Sequence, residues 1–132
     1  MALLVGLRAL QRPIATAARA GRSLSSAASA TPLSVLVIDG YSPDGRADLE
    51  AGGASTAGKL YRELMTKSTP GGNAVCDIVY PADSDFQAPD LSKYHAVAWT
   101  GCSLTIHDAQ DVRVTKQIEF AKQVFAEGTN FQ

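Results

Sequence analysis

The sequence has few of the residues that staple a small protein together. It holds only two cysteines, Cys76 and Cys102. Two cannot build a disulfide framework, and they lack the paired spacing of a structural zinc site. No apolar run approaches the roughly 20 residues that span a bilayer, so stable membrane insertion is not expected. The net charge of −1 is too small an imbalance for a dedicated nucleic-acid binder. What is present is an ordinary globular composition, 45% apolar and 19% charged over 132 residues. That is room for one domain, and it disfavours both disorder throughout and a coiled coil.

Acid is missing altogether from residues 1–33, which carry Arg8, Arg12, Arg19 and Arg22. The remaining residues carry thirteen acidic and eight basic side chains. A composition change this sharp marks a boundary, and a leader rich in Ala, Ser, Leu and Arg has the character of an organelle transit peptide. Wound as a helix at about 100° per residue, it gathers its four arginines into an arc of about 80°. Leu3, Leu7, Leu10 and Ile14 fall opposite, which is a basic amphipathic pattern that Pro13 would interrupt. The run Arg22-Ser23-Leu24-Ser25-Ser26 has the form of a mitochondrial processing site, with cleavage expected near Leu24/Ser25. The expected organisation is therefore residues 1–33 as mitochondrial transit peptide and linker, leading to the matrix, and residues 34–132 as the domain. A plastid address is the lesser alternative. A chance basic tail is the plain one.

In the domain, Ser34 to Gly40 is a continuous apolar run closed by Asp39-Gly40, the pattern of a strand buried on both faces. Residues 41–53 are polar, hold Gly and Pro, and are expected to form a loop. Ala57, Leu60, Tyr61, Leu64 and Met65 give the apolar stripe of a helix over 54–67, stopped at Thr69-Pro70-Gly71-Gly72. Ala74 to Tyr80 reads as the second strand and His95 to Thr100 as the third, with an acidic loop (Asp83, Asp85, Asp90) between them. A second helix is expected over 112–127, capped by Asp108 or Asp111 and burying Val114, Ile118, Ala121 and Phe125, with Gly128 at its end. Alternation of this kind predicts an α/β fold, a mainly parallel sheet with helices on both faces. With only three strands visible, the edge beyond the third strand is expected to lack a partner. Binding sites in such sheets lie at the carboxyl ends of the strands, here above all at Thr100-Gly101-Cys102-Ser103.

Individual motifs carry less. Gly53-Ala54-Ser55-Thr56-Ala57-Gly58-Lys59 fits the spacing of a phosphate-binding loop, but Leu60 stands where a Mg²⁺-ligating hydroxyl is required. A glycine-rich helix start, with Gly58 packed close on the sheet, is the simpler reading. Cys102 and His107 could form a thiolate–imidazole pair. A small Cys packed at a strand end and a solvated His is the reading preferred. Cys76 reads as a buried strand residue and His95 as solvated. The acidic loop lacks the glycine and glutamate of a calcium loop and is expected to be solvated.

From Val35 onward the chain resembles the class I glutamine amidotransferase family, especially its GMP synthase-like members. The resemblance is carried in order by Val37-Ile38-Asp39-Gly40-Tyr41, Glu50 to Gly58, Tyr80-Pro81-Ala82-Asp83, Ala98 to Asp108, and Val114-Thr115-Lys116-Gln117-Ile118-Glu119. It implies the flavodoxin-like fold of that family, hydrolysis of the glutamine side-chain amide, and transfer of ammonia to an acceptor or synthetase partner. It also implies an oxyanion-binding N–H at Gly101, with Cys102 and Ser103 at the pocket rim. The family's nucleophile elbow follows a fourth strand, and its His and Glu come later still. None of the three is present, so the chain is expected to be the N-terminal portion of such a domain, truncated before the nucleophile strand. No catalytic residue is assigned, no cofactor or metal is implied, and the chain is expected to be inactive alone. The alternatives are a non-enzymatic module that completes its sheet with a partner or a second copy, and a nucleotide binder using Gly53 to Lys59.

Overall fold

The structure is a computed structural model that describes Leu3–Val5 and residues 31–128. Most of the expected leader and its processing site lie outside the described residues. The sheet has four strands in the order β1 (Leu3–Val5), β4 (Ala96–Trp99), β2 (Leu33–Ile38), β3 (Ala74–Val79). Strand β2 is parallel to both neighbours, with Val35 opposite Cys76 on one side and Ala96 on the other. The three domain strands thus form the parallel α/β sheet expected from their apolar runs. Leu3–Val5 is instead antiparallel to β4, with Leu4 opposite Ala98. The expectation of an unpaired edge at the third strand is therefore corrected. So is the expectation of helix at Leu3, where strand pairing satisfies backbone groups that a helix would have satisfied internally.

Side chains of β2 alternate between two covered faces. Leu36 and Ile38, with no exposed surface, join Leu91, Val97, Phe120 and Val124 in the main core. This is the face of α3 (Val112–Glu127). Phe120 meets Phe86 edge-on at 5.0 Å between ring centroids and Trp99 at 5.9 Å. The expected stripe on α3 is rotated, because the residues it buries are Val114, Phe120 and Val124, while Phe125 is 52% exposed. Asp111 caps the helix, accepting from the Arg113 N–H at 2.9 Å. The Arg113 guanidinium bonded to that carboxylate holds it below its usual range.

On the opposite face, α2 (Ala57–Ser68) closes on the sheet at Gly58. A Cβ there would stand 2.7 Å from Ile78 Cγ2 and 3.0 Å from Asp39 Oδ2. Leu60 and Leu64, expected in the buried stripe, are 53% and 54% exposed. At about 100° per residue they lie on a flank of the helix away from Gly58, Tyr61 and Met65. The described sheet ends at β3, so no strand lies beneath that flank.

The segment expected to be a loop after β2 contains a helix, α1 (Pro43–Ala51). Ser42 caps it by accepting from the Gly45 N–H at 3.2 Å, and Pro43 occupies its first turn. It buries none of its residues, so it has no apolar stripe to reveal it. His95 is exposed, as expected, and its Nδ1 accepts from the Ser34 N–H at 3.0 Å, fixing the start of β4 against β2. Cys76 is half-buried rather than buried, and burial pushes its thiol up.

Substituting Gly58→Ala tests the close approach of α2. In an open helix this change stabilises by about 0.5–1 kcal/mol. Against the branched Ile78 side chain it is expected to destabilise by about 1–3 kcal/mol, as overpacking does, measured by denaturant unfolding. A second test uses Tyr94, whose hydroxyl donates to Asp77 Oδ2 at 2.9 Å. Burial, then that carboxylate, pushes the phenol up from 10.0 to about 12. A raised phenol pKa favours the folded state while the group stays protonated. Its contribution is full below about pH 10 and is lost as pH rises through about 12. Wild type is expected to show an added fall in Tm across that window that Tyr94→Phe lacks.

Candidate functional site

Strands β2 and β4 are neighbours, but the chain leaves them in opposite directions. From β2 it crosses over through α2 to β3, and from β4 it enters α3 on the other face. Their carboxyl ends therefore open a crevice at a switch point of the sheet, the usual ligand position in open α/β folds. The polar residues that end these strands are held tightly. Asp39 is fully buried, and both of its oxygens are used. Oδ1 accepts from the Tyr41 N–H at 3.0 Å and Oδ2 from the Gly58 N–H at 2.8 Å. One side chain thus shapes the turn after β2 and caps the first turn of α2. Thr100, 5% exposed, ends β4. Its hydroxyl accepts from the Gly40 N–H at 3.1 Å and donates to the Gly101 carbonyl at 2.9 Å.

Gly40 is where three elements converge. Its carbonyl accepts from Gln117 Nε2 of α3 at 3.2 Å. A Cβ on Gly40 would stand 2.9 Å from Gln117 Oε1 and 3.3 Å from Cys102 Cβ. A side chain here would push the Gly101-Cys102 loop away from the crevice. Ser103 is exposed, its Oγ 3.5 Å from where Gly45 would carry a Cβ. Gly101 and Cys102 also line a groove of about 470 Å³, with Trp99, Leu104, Ile118 and Phe125 as its main apolar walls. Ser103 is not part of that lining.

Cys102 and His107 both border the groove, but no hydrogen bond joins them among the described residues. The Cys102 Sγ contacts the Leu104 carbonyl at 3.5 Å, and His107 is exposed. This fits a packed cysteine and a loop histidine better than a reactive pair. Among the described residues no cluster of three His, Cys, Asp or Glu could hold a metal. No helix among them is long and apolar enough to cross a membrane. The geometry of Gly53 to Lys59 does not favour an anion. The Gly58 N–H at the start of α2 is already taken by the Asp39 carboxylate, and Lys59 pairs with Glu50 at 2.9 Å. A phosphate placed there would face a buried carboxylate. Thr56 Oγ1, buried at the cap of the same helix, has no hydrogen-bond partner.

Arg46 is the residue that sequence reasoning missed. From α1 it grips Asp83 with both terminal nitrogens, at 2.8 Å to Oδ2 and 3.0 Å to Oδ1. It also donates to the Tyr41 carbonyl at 2.8 Å and stacks 4.1 Å above the Tyr80 ring. Asp83 is thus an ion-pair partner, correcting its expected place in a solvated loop. Lys116 of α3 adds bonds to the carbonyls of Asp83 and Ser84, both at 3.2 Å. The loops after β2 and β3 are fastened together and to α3 by these two cations. The available signal was Ser42-Pro43-Asp44, an N-cap, a proline and an acid in the order of a helix start.

Comparison with family models, with curated proteins and with solved structures gave no match.

Asp39 supplies the test of this architecture. Asp39→Ala leaves two N–H groups without their acceptor, and the loss expected in denaturant unfolding is about 1–3 kcal/mol for the buried one alone. Asp39→Asn should not restore it fully. An amide has one oxygen for two donors, so its NH₂ must face an N–H.

Proposed function

We propose that residues 34–128 are the N-terminal part of a class I glutamine amidotransferase-like domain, with the β2/β4 crevice as one wall of its glutamine site. The observation that carries the reading is the convergence of Gly40, Gly101, Cys102 and Gln117 at the carboxyl ends of β2 and β4. These residues come from three of the stretches that carry the family resemblance, and they meet where such folds bind ligands. In this reading the Gly101 N–H stabilises the oxyanion formed when the glutamine amide is attacked. Glycine suits that place because no Cβ obstructs the substrate. Cys102 borders the groove, and Ser103 follows it as an exposed residue. Cys102 is not the nucleophile in this reading, because its thiol is turned to the Leu104 carbonyl and, among the described residues, no hydrogen bond joins it to a histidine. The attacking thiolate, its histidine and its glutamate belong to sequence outside these residues. Ammonia released in the complete site passes to an acceptor or synthetase partner. The basic leader takes the protein to the mitochondrial matrix.

Two measurements test this. Residues 1–132 alone, given glutamine at millimolar concentration, are expected to release no ammonia above the blank. Turnover abolished by Cys102→Ala would overturn the assignment of Cys102. Sequencing both termini of the endogenous protein from purified mitochondria is expected to give a start near Ser25 and sequence past Gln132 that reaches a cysteine elbow. A mature protein ending at Gln132 would remove the glutaminase reading and leave a non-enzymatic module.

A further inference from the structure

Strand β4 has only four residues, and β2 satisfies one of its sides. A short parallel strand with a bare outer side presents free N–H and C=O groups to any extended segment. In this chain that side is taken. Leu3, Leu4 and Val5 pair antiparallel with Trp99, Ala98 and Val97. The occupant comes from the leader, the segment whose composition sets it apart from the domain. We propose that the β4 edge is a strand-acceptor site, and that the unprocessed chain masks it with its own leader strand Leu3–Val5.

Two facts favour the leader over a second copy as occupant. Residues 6–30 tether β1 to the domain and, at about 3.3 Å per residue, give ample reach. A tether of this kind raises the effective concentration to about the millimolar range, well above that of a second copy in dilute solution. The charges also agree, since the leader has four arginines and no acid, whereas the rest of the chain has five more acidic than basic residues. The masking strand protects the edge from sheet-to-sheet aggregation while it is in place. Cleavage near Leu24/Ser25 would remove it and open β4. That consequence rests on the transit-peptide reading proposed above, whereas the pairing itself does not.

Hydrogen exchange on the full chain tests the pairing. Leu4→Pro removes an N–H and cannot continue a ladder. It is expected to speed exchange of β4 amides by about tenfold or more while β2 and β3 amides keep their protection. Equal β4 protection in both chains would overturn the proposal. A second variant settles the matter if Leu4→Pro perturbs the whole fold. Leu4→Cys with Ala98→Cys, in a Cys76→Ser and Cys102→Ser background, places two thiols directly across the antiparallel pair, within disulfide reach. A disulfide within one molecule is the expected result by peptide mass mapping. No disulfide, or one only between molecules, would overturn the leader as occupant. The leader's role as an address is tested separately by import into isolated mitochondria. Failed import of the wild-type chain, together with an intramolecular disulfide in the double-cysteine variant, would reject the address and keep the masking strand.

Discussion

A buried carboxylate organises this molecule. Asp39 has no solvent exposure, so each of its oxygens needs a donor. Both donors are backbone N–H groups close in space but distant in sequence, at Tyr41 and Gly58. Meeting that need fixes the direction in which the chain leaves β2 and the point at which α2 begins. It also sets how near α2 comes to the sheet, because the bond to Gly58 brings the helix backbone to within contact of Ile78. Only glycine leaves room for this. The same bond decides what the glycine-rich segment before α2 can do, since the positive end of the helix already faces a carboxylate.

The crevice follows from that turn. Once Asp39 fixes the turn, Gly40 lies between Thr100 and Gln117, and its missing side chain lets Cys102 approach. Arg46 then holds α1 against the loop after β3 through a two-pronged ion pair and a ring contact. A planar guanidinium suits this role because it can bind a carboxylate with two nitrogens while stacking on an aromatic face. These polar contacts act on loops instead of the core. The core itself is the apolar layer between β2, β4 and α3, with Phe120 at its centre.

Much of this was legible in the residues. The strands were, because burial on both faces gives uninterrupted runs such as Val35 to Ile38. The start of α3 was, because Asp111 is an N-cap residue standing before a helical pattern. Helix α1 was not, since an element that buries nothing has no apolar period. The outward turn of Leu60 and Leu64 was hidden too. Periodicity reports that a stripe exists, but the width of the sheet beneath decides how much of it is covered. On α3, Ile118 and Phe125 matched the helical period as well as Phe120 and Val124 do. Only the position of Phe86 and Trp99 selected the second pair. At the candidate site, Gly101, Cys102 and Ser103 could be placed at a strand end from local pattern. Gln117 could not be seen to reach Gly40 across 77 positions, and Arg46 could not be matched to Asp83 across 37.

The sequence by itself determined the α/β class, the three parallel strands, the two amphipathic helices and the change of character near residue 33. These are properties of composition and period, which depend on near neighbours along the chain. Tertiary structure alone decided the partners: the strand on the β4 edge, the carboxylate at the head of α2, the cation that fastens α1, and the three elements that meet at Gly40. Each depends on which distant groups are brought together once the sheet has formed. A buried polar group takes whichever complementary group the fold places within reach, and local sequence does not encode that distance.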